Sequence, residues 1–175
     1  MTATRSLLFT AAAVLLIASG CSDSKTKTIT SPTRHKAEEG NYVRVEDEDQ
    51  GMADAIAKAQ ASSAEFLAAF REKKPGAKEF YVKKPYPTPS GSQEHMWILV
   101  QSEDKGTLTG LVSNDAEDTK AVKLGDRVTL KMSEISDWKY QVGKKLIGGY
   151  TIRYLLEKAS PEERKQVLEG AGFEL

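Results

Sequence analysis

Glu94, His95, Asp137 and Arg153 are the residues whose types and grouping suit acid–base chemistry. His95 titrates nearest neutrality, and a carboxylate such as Glu94 or Asp137 beside it would orient the ring or raise its pKa. A small hydrolase would need a nucleophile as well. Ser92 and Ser136 stand near the set, but no Gly-x-Ser-x-Gly elbow occurs to present either. Metal binding has less to draw on. Of the two histidines, His35 lies in a polar N-terminal stretch, and the single cysteine is Cys21, short of the usual ligand sets. No Gly-rich phosphate loop opens a helix, and Gly148-Gly149 is a lone pair suited to a tight turn. No cofactor or metal is therefore expected.

Each of these residues also has a structural role open to it. His95 at a strand end can simply be hydrogen-bonded, Asp137 can cap a turn, and Arg153 can bridge to Glu94 or Asp137. Trp97 and Trp138 suit a core whose indole N–H groups are satisfied. If instead Trp138, Tyr140 and Tyr150 shared an exposed face with Arg153, they would form a recognition surface, because aromatics and Arg dominate binding hot spots.

The elements that must position these groups follow from periodicity. Met52, Ile56, Ala59, Ser63, Phe66 and Phe70 recur at steps of three and four, with Leu67 widening the stripe. They predict one amphipathic helix from Met52 to Lys74, ended by Pro75-Gly76. Its Phe66, Leu67 and Phe70 are expected in the core. The acidic run Glu46 to Asp49 before it lacks the spacing of a calcium loop and suits a solvated turn at a helix N-terminus. Beyond the helix the period becomes two. Phe80 and Val82 share one strand face, with Pro85, Pro87 and Pro89 expected to stop that strand. His95 to Val100 are apolar on both faces, as in a central strand. Glu103 to Gly106 read as a hairpin turn into Thr107–Ser113, and Asp126–Met132 as a half-buried strand with Val128, Leu130 and Met132 inward. Ile135 to Gln141 suit a further short strand or a turn. Tyr150–Lys158 fit a helix better than a strand. Ser160 as N-cap, Pro161 at N1 and Glu163 at N3 form a capping box for a last helix ending near Gly170. The expected class is α+β: one N-terminal amphipathic helix, a mostly antiparallel sheet of about four to five strands, and C-terminal helices.

Location is legible at the N-terminus. Arg5 supplies a positive charge, Leu7 to Ala18 an apolar run, and Leu16 to Gly20 lead with small residues into Cys21. That is a secretory signal. A cysteine directly after such a cleavage site resembles the lipobox of bacterial lipoproteins, which implies acylation of Cys21. Residues 1–20 then form the signal peptide and 21–41 a polar tether that cannot bury enough surface to order itself. Tyr42 to Val45 suit a short edge strand or the end of that linker. An α+β domain follows over 42–159, with a helical extension over 160–175. Ser22 after the cysteine suggests the outer membrane, facing the periplasm. Lys+Arg and Asp+Glu number 25 each, which offers nothing to nucleic acid.

Several of these stretches together resemble one family. Glu94-His95-Met96-Trp97, Ile135 to Tyr140 and Gly148 to Arg153, with Met52-Ala53-Ala55-Ile56 and Gly125-Asp126-Val128, are similar to the YegJ-like bacterial family, a domain of unknown function (DUF2314). The similarity spans about Val45 to Leu156, leaving out the lipidated N-terminus and the helix after Ser160. The resemblance implies a small α+β domain, found in exported proteins and beside modules such as ankyrin repeats, with no established activity. The expected function is a non-enzymatic binding or accessory domain held to the membrane by lipid, with a protein partner in the envelope. The alternatives are a hydrolase using His95 and a toxin-binding self-protection protein.

Overall fold

The computed structural model describes residues 49–175. Cys21, the tether and the Tyr42–Val45 segment lie outside the described residues. The first helical region is two helices rather than one: α1 (Gln50–Ala61) and α2 (Ser63–Arg71). Ser62 divides them. Its hydroxyl bonds back to the Lys58 carbonyl at 2.8 Å and the Ala59 carbonyl at 3.3 Å, and back-bonding of this kind bends a helix. Asp49, last of the acidic run, caps α1 through the amides of Gly51 and Met52.

Six strands follow, one more than the upper expectation: β1 (Ala77–Pro87), β2 (Gln93–Asp104), β3 (Thr107–Val112), β4 (Arg127–Lys131), β5 (Asp137–Val142) and β6 (Lys145–Gly148). They form one antiparallel sheet in the order β4-β3-β2-β1-β5-β6. The additional strand is the four-residue β6, too short to show a period in the sequence. Helices α3 (Tyr150–Lys158) and α4 (Pro161–Ala171) complete the chain, α4 with the expected Ser160–Glu163 capping box.

Pro85 and Pro87 do not stop β1. The last bond from the β5 side is Ser136 N–H to the Lys83 carbonyl at 2.7 Å. Past it β1 pairs only with β2, so a residue lacking N–H is tolerated there as on an edge strand.

One sheet face meets α1 and α2. Val82, Ile98, Met96, Val112, Leu108, Leu130 and Trp138 are buried there with Phe66. Phe66 lies 5.9 Å from the Trp138 ring, and Phe80 stacks on Tyr140 at 4.8 Å. Gly110 belongs to this packing: a Cβ would stand 2.3 Å from the Leu99 carbonyl of the next strand, so no larger residue fits.

The Lys105-Gly106 turn joins β2 to β3, both residues at positive φ as the tight hairpin requires. Arg71 at the end of α2 clamps this hairpin by two bonds to Glu103, of 2.7 and 2.6 Å. Arg71 and the Gly106 amide hold the Glu103 carboxyl down at about 2, against an ordinary 4.5. Because the folded carboxyl ionises more readily than the unfolded one, its contribution is complete above pH 4.5 and fades as pH falls towards about 2. Melting temperature followed from pH 6 down to about pH 2 is expected to fall less steeply in Glu103→Gln than in the wild type.

Candidate functional site

Glu94 and His95 are consecutive residues of a strand, so their side chains leave the sheet on opposite faces. The carboxylate cannot orient the ring. Glu94 instead accepts three backbone amides, from Glu117 at 2.8 Å, Asp118 at 3.0 Å and Thr119 at 2.7 Å, and so shapes the loop between β3 and β4. His95 finds a different partner: its Nδ1 lies 2.7 Å from the Ser136 Oγ. The Ser136 hydroxyl also lies 3.2 Å from the Lys83 carbonyl, an acceptor that competes with the imidazole for its one proton. Ser136 is also buried. Ser92 belongs elsewhere, to a cluster of hydroxyls with Thr88 and Ser90.

Asp137, wholly buried at the start of β5, faces α3. Gly149 at the N-cap of that helix has no side chain, and Asp137 supplies the missing acceptor. It receives the Tyr150 amide at 3.1 Å, the Thr151 amide at 2.9 Å, the Thr151 hydroxyl at 2.6 Å and its neighbour Trp138's amide at 2.8 Å. Four donors fill both oxygens. Burial pushes this carboxyl up, opposed by Lys83 and by the Thr151 and Trp138 donors. Asp137 thus does act as a cap, though of a helix rather than a turn.

Arg153 bridges to neither carboxylate. Its guanidinium closes on the carbonyls of Gly148 at 2.9 Å and Leu146 at 2.8 Å, tying α3 to β6. Trp138 and Tyr140 do not form an exposed face with it. Both are buried under α1 and α2, and the Trp138 indole donates to the Ala59 carbonyl at 2.8 Å. Tyr150 is half-buried with its ring edge against Trp138. Both tryptophans prove to be core residues, since Trp97 is also buried.

The groups missed by sequence reasoning lie on the opposite face. Lys83 stands opposite Trp97 on β2 and Asp137 on β5, and Lys139 stands opposite Tyr81. Both ammonium groups lie over the same Trp97 ring, Lys83 at 5.2 Å and Lys139 at 4.9 Å from its centre. Lys139 is also 4.9 Å from the Tyr81 ring and 5.8 Å from that of Phe173. The last residues reach this position by a main-chain link: the Leu146 amide donates to the Glu174 carbonyl and the Glu174 amide to the Lys144 carbonyl, each at 2.7 Å. Burial lowers the pKa of Lys83 and the neighbouring Lys139 adds to that, with Asp137 opposing. The alternation Tyr81-Lys83 was visible in the sequence, but no signal there pairs those residues with Trp97.

Among the described residues no three of His, Cys, Asp and Glu gather as metal ligands, and no helix is long and apolar enough to cross a membrane.

The fold and its capping network define a mixed α+β protein built on one six-stranded antiparallel sheet. The chain belongs to the DUF2314 family, described as an uncharacterized protein conserved in bacteria, whose model matches residues 49–175. That match runs to the last residue and takes in α4, beyond the Leu156 limit expected from the motifs. The chain is also 36% identical over 118 residues to the uncharacterized protein YegJ of Escherichia coli strain K12, covering 67% of this chain and 75% of that one. No solved structure matches.

Proposed function

We propose that this protein is a cell-envelope lipoprotein, attached through Cys21, whose folded part is a binding or accessory domain rather than a hydrolase. The observation that carries the second half is the engagement of both carboxylates: Glu94 and Asp137 are spent on backbone amides. A general base needs a free lone pair directed at a substrate proton: the Asp137 oxygens hold four donors, and Glu94 is fixed by three loop amides on the sheet face away from His95. The burial of Ser136 supports the same reading, because a serine nucleophile must be reached by its substrate. For the first half, the support is the apolar run closed by Cys21 and the polar stretch behind it.

Cell fractionation tests the anchor. The wild-type chain is expected in the membrane fraction with incorporated palmitate, and Cys21→Ser in the soluble fraction without label. A Cys21→Ser chain that stayed membrane-bound would refute the anchor. Crosslinking in intact cells tests the binding role: a specific protein should be captured by the anchored chain and lost from Cys21→Ser. Failure to capture one across growth conditions counts against the role.

A further inference from the structure

Lys83 is a half-buried amine on the sheet face that carries Trp97. Its hydrogen bond runs to the Thr151 hydroxyl at 3.2 Å, and that hydroxyl passes its own proton to Asp137. Asp137 already holds four donors, so the carboxylate is reached through Thr151 rather than by direct pairing. Lys83 also lies against the Trp97 ring, which a second ammonium, Lys139, contacts as well. An amine that is desolvated and placed beside another cation is the arrangement that turns lysine into a nucleophile at neutral pH.

We propose that Lys83 is a carbonyl-reactive site that takes small aldehydes bearing an acidic group as Schiff bases. The neutral amine adds to the carbonyl carbon. The carbon–oxygen bond then breaks, the oxygen leaves as water with the two amine hydrogens, and a C=N bond joins Lys83 to the ligand. The step uses no oxidant, reductant or further reactant. Lys139, held at the same ring among Tyr81, Trp97 and Phe173, supplies the positive charge that selects an acidic ligand. Burial is the main force against the ammonium form of Lys83, and Lys139 adds to it; together they outweigh Asp137 and favour the neutral amine that the addition needs. The other groups around the amine are Asp137, Thr151 and, further along β2, His95. This inference concerns the folded part and does not depend on the lipid anchor.

The test is reductive trapping on the full chain with glyoxylate and cyanoborohydride at pH 7, read by peptide mass mapping. Lys83 is expected to gain the adduct at least about tenfold faster than the exposed Lys120 and Lys165. Acetaldehyde, which lacks the carboxylate, should show a smaller preference for Lys83. Lys139→Gln should slow trapping at Lys83, because removal of the like charge returns the proton to the amine. Simple loosening of the structure would have the opposite effect and speed it. A Lys83 that reacts no faster than Lys165, as a shielded structural ammonium would, overturns the proposal. So does a Lys139→Gln variant in which Lys83 is trapped faster.

Discussion

Asp137→Ala is expected to cost about 3–5 kcal/mol, a large share of the roughly 5–15 kcal/mol that holds a domain folded. The carboxylate receives three buried or half-buried amides and the Thr151 hydroxyl, and the alanine methyl can accept none of them. Each stranded donor costs about 1–3 kcal/mol, less than additively because α3 can shift to water. Gly149 cannot replace the lost cap, having no side chain. Lys83 also loses the negative charge that favours its ammonium form. Asp137→Asn should fall between the two. Its carbonyl oxygen keeps part of the acceptor set, while its amide nitrogen confronts donors. Urea unfolding at pH 7 checks both: a midpoint for Asp137→Ala close to wild type would mean that α3 does not depend on this cap.

Trp138→Ala carries the other large effect, about 3–5 kcal/mol. The side chain is fully buried and meets Phe66, Tyr140 and Tyr150 with ring centres 5.8 to 6.1 Å away. Removing it opens a cavity between the sheet and both N-terminal helices, which the surrounding rings cannot fill. Trp138→Phe separates packing from hydrogen bonding. It retains most of the apolar surface but takes the indole donor from the Ala59 carbonyl, which keeps the Ser62 hydroxyl, at a cost of about 0.5–1.5 kcal/mol. Denaturant midpoints of the two variants should rank Ala well below Phe. Equal midpoints would place the stabilisation in the hydrogen bond alone.

Where a structural signal is local, it was legible in the residues. The capping box at Ser160 and Glu163, the tight turn at Lys105-Gly106 and the inward alternation of Val128 and Leu130 all stand where they were expected. Each depends on residues within a few positions of one another. The single long helix was read less well, because the apolar stripe continues through Ser62 while the hydroxyl turns back on Lys58. Proline punctuation misled for a related reason. Pro85 and Pro87 are poor strand residues only where both sides of the strand are paired, and pairing on the β5 side ends at Lys83.

The candidate site was legible as a set of residue types but not as an arrangement. Glu94 and His95 are adjacent in the chain and so fall on opposite sheet faces. Asp137 and Arg153 are both committed to the junction of β5, β6 and α3, yet to different groups: one to the amides that begin the helix, the other to the carbonyls of Leu146 and Gly148. Lys83 and Lys139 drew no notice in the sequence, since a charged residue in an alternating strand ordinarily faces water.

The sequence by itself determined the family and the α+β class from motifs and periodicity along the chain, and the last helix's capping box, the hairpin turn and the apolar stretch ending in Cys21 from residues close together. Only the tertiary structure decided what the polar side chains do. Strand order and register set Lys83 beside Trp97, His95 against Ser136, and Asp137 beneath α3, joining residues 14 to 41 positions apart. Burial and hydrogen-bond saturation depend on those distant neighbours, and they determine whether a carboxylate serves as a cap and whether a lysine holds its proton.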